Sequence, residues 1–194
     1  SSVLLLSRFT ESVPRQIMMF FFVLMLPTVF LNSSVWGQCD SIYTAFLILG
    51  LYLALADHPW LSVVSFTMSL AFKLQAVFVL PVVFVLMCCR KLRLRHGLIA
   101  PVTYVATVLP AVLAGRPFWD TITLYFNQTG SIGDGLNYNS PSVFSILEPL
   151  VAGKASVSRV FIIIAALFTL LVILYGFLHR KQLSDEAVLV AAVL

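Results

Sequence analysis

Charge is what this chain has least of. Asp, Glu, Lys and Arg make up 10% of its 194 residues, and only 8 of them are acidic. An ordinary soluble domain carries about 25% charged residues, so a conventional water-facing surface is excluded. Cysteine is also scarce, with 3 in the chain. Cys39 stands apart and Cys88 and Cys89 are adjacent, so no disulfide framework is available, and single buried or lipid-facing thiols are the ordinary reading. Palmitoylation of Cys88 or Cys89 beside Arg90 has no further support. His58, His96 and His179 are too scattered for a metal site. The first residues lack the basic start, single apolar core and small-residue cleavage site of a signal peptide.

Apolar residues fill the space that charge leaves. The chain is 60% hydrophobic, with a mean hydropathy of +1.01. A membrane-spanning helix needs about 20 apolar residues, and apolar runs lie at 16–32, 40–56, 60–72, 76–89, 97–114, 157–178 and from 186 onward. The expected fold is all-α: a single polytopic bundle over 1–194 with about seven spans and a partly helical extracytoplasmic loop at 115–156. Residues 1–7 read as the tail of another helix and Leu194 falls inside an apolar run, so the sequence reads as a piece of a longer chain.

Charge placement gives an expected orientation, because Lys and Arg near short loops are retained on the cytoplasmic side. Arg8, Arg15, Arg90, Lys91, Arg93, Arg95, Arg180 and Lys181 fall on one side. Lys73, Arg116, Lys154 and Arg159 fall on the other, with Asp40, Asp120, Asp134 and Glu148. The net charge of +4 is therefore read as topology. No nucleic-acid partner is expected, since short basic loops such as Arg90–His96 are routine between spans. This orientation requires 61–89 to form two helices that meet near Lys73. A single tilted span would leave Lys73 in hydrocarbon and put Gln38 and Asp40 beside the Arg90 cluster. Two helices are preferred, because one polar pocket then satisfies every costly group.

The polar residues within apolar surroundings are the candidate site. Trp36-Gly37-Gln38-Cys39-Asp40 follows the first apolar run, and Lys73-Leu74-Gln75 interrupts another. Intramembrane ionisable groups are expensive and mark pathways or reaction sites. The loop adds Trp119, Asp120, Tyr125, Asn127, Gln128, Asp134, Asn137, Tyr138 and Asn139. Amides match hydroxyls and aromatic rings cover the apolar faces of a sugar, so this composition suits a carbohydrate-facing surface as well as it suits a solvated irregular loop. Phe118, Tyr125 and Phe126 fall on one face if 118–126 is helical. Asn32 and Asn127 begin Asn-x-Ser/Thr patterns, for which chance is the default reading.

The tracts Asn32-Ser-Ser-Val-Trp-Gly-Gln-Cys-Asp-Ser-Ile-Tyr43, Ala71-Phe-Lys-Leu-Gln-Ala-Val-Phe-Val-Leu-Pro81 and Leu136-Asn-Tyr-Asn-Ser-Pro-Ser-Val-Phe-Ser145 resemble the GT-C glycosyltransferases that use polyprenyl-phosphate sugars. The likeness is to the bacterial mannosyltransferase-like members, and more distantly to the endoplasmic-reticulum glucosyltransferases that act on the lipid-linked oligosaccharide. It covers about residues 16–150, with Ser142 and Phe144 where that segment often has Asn and Trp. The resemblance implies inverting hexosyl transfer from a lipid-phosphate sugar to a lipid-linked or glycan acceptor, in a bacterial plasma membrane or the endoplasmic reticulum, with the site facing outward or to the lumen. No separate cofactor is implied, and a metal requirement is left open. The carboxylate that takes the acceptor proton lies in the first outer loop of such enzymes. That loop would precede Ser1, so no catalytic residue is assigned here.

The implied substrate-binding residues are Lys73, Gln75, Gln38, Asp40, Trp36, Arg116, Tyr138 and Asn139. Lys73 is read as contacting the donor phosphate, with Arg116 or Arg159 sharing it; the plain alternative is a side chain that reaches the interface or pairs with Asp40. Gln38 and Gln75 suit sugar hydroxyls and a helix–helix hydrogen bond equally. Asp40 is read first as half of an ion pair, and Trp36 first as an interfacial anchor. The partners expected are membrane lipid, the polyprenyl-phosphate sugar and the acceptor. A transporter or lipid-linked-sugar flippase is the alternative. It predicts repeated broken helices, yet neither Trp-Gly-Gln nor Lys-Leu-Gln has a second copy. A noncatalytic assembly subunit would not need the amide-rich loop.

Overall fold

The protein is described here from a computed structural model, which describes residues 2–8, 10–35, 37–124 and 155–179. Every regular element among them is helical. In chain order these are α1 (Ser2–Leu6), α2 (Val13–Met25), α3 (Pro27–Phe30), a π-helical turn (Leu31–Val35), α4 (Asp40–Leu55), α5 (Pro59–Phe72), a 3₁₀ turn (Leu74–Val79), α6 (Leu80–Cys88), a second 3₁₀ turn (Leu94–Leu98), α7 (Ile99–Leu113), α8 (Phe118–Ile122) and α9 (Ala155–Leu178).

The breaks between these helices have local causes. Leu26 is extended, at φ −56° and ψ 124°, because the ring of Pro27 disfavours helical geometry in the residue before it. Three helices end in the same hydrogen-bonded cap with a left-handed residue. After α4, Asp57 (φ 60°) is flanked by the bonds His58 N–H to Leu53 O (2.8 Å) and Asp57 N–H to Ala54 O (3.3 Å). After α6, Arg90 (φ 61°) is flanked by Lys91 N–H to Leu86 O (2.9 Å) and Arg90 N–H to Met87 O (3.0 Å). After α7, Gly115 (φ 99°) takes the same place, with Arg116 N–H to Ala111 O at 3.1 Å. Only the last of these is a glycine; the first is an Asp with Pro59 two residues on, so only the turn at Arg90 is hidden from a search for turn residues.

The expected division of 61–89 is present. Lys73 is extended (φ −154°, ψ 128°) and ends α5, and the chain then doubles back through the 3₁₀ turn into α6. The reversal is fixed at the far end, where Lys91 Nζ lies 3.2 Å from Asp57 and 3.5 Å from Leu55 O, beside the α4–α5 turn. The Trp60 and His96 rings, 4.9 Å apart, bring the start of α7 to that same end. It carries Arg90, Lys91, Arg93 and Arg95 and is called the arginine end here. The opposite, lysine end carries Asp40 and Lys73.

α4 and α5 form the central hairpin. Ser62 Oγ donates to Gly50 O and Ser69 Oγ to Tyr43 O, both at 2.7 Å. Donors and acceptors are each one heptad apart, so the two bonds fix a single antiparallel register. Gly50 leaves room for the Phe66 ring, which comes within 2.8 Å of where a Cβ at position 50 would stand. Leu51, Ala54, Leu55, Phe66, Val82, Leu86 and Leu92 form the buried core around this hairpin.

Leu94–Leu113, at 20 residues, is both long and apolar enough to cross a membrane alone, and α9, at 24 residues, also has the length of a span. The 16 residues of α4 reach about 24 Å, short of a hydrocarbon core of about 30 Å. The run at 16–32 is divided at Leu26, while the breaks at Asp57 and Lys73 fall between the runs at 40–56, 60–72 and 76–89, whose helices α4, α5 and α6 are 16, 14 and 9 residues long. Of the expected loop, Phe118–Ile122 is helical; residues 125–154 and the run from 186 lie outside the described residues.

Replacing Gly50 with Val drives a methyl group into the buried Phe66 ring and is expected to destabilise the protein by about 1–3 kcal/mol. Gly97→Ala, where no atom lies within 4 Å of the added Cβ, should be neutral. Thermal unfolding in detergent separates the two, and equal midpoints would contradict the close α4–α5 approach.

Candidate functional site

The register of the central hairpin brings the start of α4 beside the end of α5, so Asp40 and Lys73 meet. Each lies at a helix end whose partial charge suits it, the carboxylate in the first turn of α4 and the ammonium just past α5. They form a direct ion pair, with the side chains 28% and 25% exposed respectively. Asn32, on the π-helical turn, donates from Nδ2 to the second Asp40 oxygen at 2.6 Å. Both carboxylate oxygens are therefore engaged. The ammonium also lies 5.7 Å from the centre of the Tyr43 ring, in cation–π range. Cys39 Sγ faces Phe72 O at 3.8 Å, and the Phe46 and Phe72 rings stack at 5.7 Å, closing the seam beneath the pair.

A cleft of about 440 Å³ opens next to Asp40, between α1, α2, the π-helical turn and α4. Its wall is divided: Asn32, Ser33, Asp40, Ser41 and Thr44 are polar, whereas Phe20, Val23, Leu24 and Ile48 are apolar. Across the hairpin, a second cleft of about 400 Å³ lies between α5, α7 and α8, lined by Phe72, Tyr104, Thr107, Thr121 and Arg116 among others. Tyr104 Oη reaches Ile122 O at 3.4 Å and ties α8 to α7 there. The lysine end thus has two clefts with an ion pair between them. A lysine ammonium has three N–H donors and Asp40 uses one, which leaves donor capacity for an anionic or hydroxyl-bearing ligand.

The candidate residues from the sequence divide as follows. Asp40 and Lys73 meet as the ion-pair reading expected. Gln38 and Gln75 are both exposed, and no hydrogen bond joins them or ties either side chain to another described residue. Arg116 lines the second cleft, apart from Asp40. Trp36, Tyr138 and Asn139 lie outside the described residues, as does the side chain of Arg159. Asn32 and Tyr43 were not read as site residues from the sequence. Tyr43 had a detectable signal, since it lies three residues after Asp40 on the same helical face. Asn32 had none, because a π-helical turn obeys no periodicity that would aim its side chain at Asp40.

An apolar all-helical protein with a paired lysine between two clefts belongs to the class of membrane-type helical proteins with a polar site at one end. The model of glycosyltransferase family 87 matches the chain over residues 1–194. The chain therefore belongs to glycosyltransferase family 87, a GT-C-like family of membrane glycosyltransferases. No curated protein and no solved structure matches it. The GT-C resemblance read from the sequence holds at this level, and the transporter alternative finds no support.

Asp40→Asn and Lys73→Met should each destabilise the protein by about 1–3 kcal/mol, below the ~3–5 kcal/mol of a fully buried pair because both groups remain partly solvated. The double variant should lose less than the sum. A double-mutant cycle of thermal unfolding measures this coupling, and simple additivity would mean that the pair contributes nothing to stability.

Proposed function

We propose that this glycosyltransferase is a multi-pass hexosyltransferase that moves a mannose- or glucose-type sugar from polyprenyl phosphate to a lipid-linked or glycan acceptor, with inversion, at the extracytoplasmic or lumenal face. The observation that carries the proposal is the Lys73 ammonium, paired with an Asp40 that itself lines a cleft with one polar and one apolar wall. That division suits a donor with a long hydrocarbon chain, a phosphate and a sugar. In the reaction the acceptor oxygen bonds to the anomeric carbon, the bond from that carbon to the phosphate oxygen breaks, and negative charge grows on the departing polyprenyl phosphate. Lys73 stabilises this charge, and a low-dielectric setting strengthens the effect.

Asp40 orients Lys73, with Lys73 and Asn32 each bonded to one of its two oxygens. No residue of this chain is assigned as the base. Gln38 and Gln75 contact the sugar and Arg116 serves the second cleft; Trp36, Tyr138 and Asn139 are further substrate-binding residues by the family resemblance. The segregation of arginines supports a cytoplasmic arginine end. The breaks at Asp57 and Lys73 support short helices that cross together as a bundle.

Transfer assays on the purified whole protein with a panel of polyprenyl-phosphate sugars test the donor class. Activity with a mannosyl or glucosyl donor is expected, and Lys73→Met should lower turnover about 10²–10³-fold. Full turnover in Lys73→Met removes the lysine from the mechanism, and transfer from nucleotide sugars alone overturns the donor class. Sidedness has its own readout: Gln38→Cys and Arg95→Cys should react with an impermeant maleimide from opposite faces of sealed vesicles.

A further inference from the structure

A third cavity, of about 310 Å³, lies away from the Asp40–Lys73 pair, in a groove between α5, α6 and the start of α7. Its floor includes the buried Phe66, Ala76 and Leu92. Thr67 also lines it, but its hydroxyl is turned back onto Val63 O at 2.8 Å and offers the groove no free polar group. The rim is apolar and open, with Leu80 57% and Leu94 82% exposed. The one charged residue in the lining is Arg93, at the arginine end.

Among the described residues, positive charge at that end exceeds negative charge. Asp57 is paired with Lys91 at 3.2 Å, and no acidic side chain among the described residues pairs with Arg90, Arg93 or Arg95. An occupant that fits must be apolar along most of its length and carry a single anionic group at one end. Gly97 keeps the wall open beside Arg93, since a Cβ there would meet no atom within 4 Å.

We propose that this groove holds one anionic phospholipid, with its phosphate on Arg93 and one acyl chain along the apolar floor. The proposal rests on the membrane reading of the chain and not on the assignment of donor or acceptor. Basic pockets between helices on the cytoplasmic side are where anionic headgroups bind, at about 1 kcal/mol per Lys or Arg near the surface. Such a lipid would fill the space between α5 and α6 and hold the reversal at Lys73 from its far end.

Native mass spectrometry of the purified whole protein in detergent, with added phosphatidylglycerol or phosphatidylcholine, provides the test. One phosphatidylglycerol should be retained in preference to phosphatidylcholine. Arg93→Gln should weaken this retention about fivefold, and Gly97→Leu should weaken it by filling the groove. Arg15→Gln, the same charge change on α2, should leave it unaltered. Equal retention of both lipids overturns the proposal, as does wild-type retention by both groove variants or an equal loss in Arg15→Gln. If Arg93→Gln fails to fold, Gly97→Leu decides, because it adds its side chain in open space.

Discussion

The two hydroxyl-to-carbonyl bonds from α5 to α4 are the constraint on which the rest of the structure depends. Apolar helices in an apolar environment gain little from hydrophobic burial, so close packing of small residues and a few interhelical hydrogen bonds must set their register. Ser62 and Ser69 supply those bonds, and Gly50 supplies the closeness. With the register fixed, the first residue of α4 has to lie beside the last residues of α5, and Asp40 meets Lys73. The site follows from a packing seam that contains neither Asp40 nor Lys73.

The helix ends complete the arrangement. The caps at Asp57 and Arg90 turn the chain without glycine, and Lys91 joins the two turns through Asp57. This holds α6 back against the hairpin, so Lys73 sits at a reversal and not in the middle of a long helix. A lysine at such a helix break keeps both a carboxylate partner and further N–H donors. The same reversal leaves the positive charges of the arginine end together, away from the Asp40–Lys73 pair.

Much of this was legible in the residues. The hydropathy of the chain specified helices, and the cost of Lys73 in hydrocarbon argued for a break at that position, which is present. The Asp40–Lys73 pair was one of the alternatives read for both residues. The number of spans was less legible, because the runs at 40–56, 60–72 and 76–89 give helices each too short to cross alone, and how short helices combine is not a property of any one run. Asn32 looked like part of a chance glycosylation pattern until the π-helical turn brought its amide to Asp40.

The sequence by itself determined the class of structure and the kind of site, because composition and periodicity are properties of single segments and a costly charge has few tolerable environments. Tertiary structure alone decided which groups share that site. Gln38 and Gln75 suited a helix–helix hydrogen bond as well as sugar hydroxyls in the sequence, yet they stand exposed without joining each other. Arg116, read as a second hand on the same phosphate, faces a separate cleft across the hairpin. The physical reason is that proximity between segments depends on helix register and crossing. Those are set by small residues in the seam, where the spacing of polar groups along the chain carries no information about them.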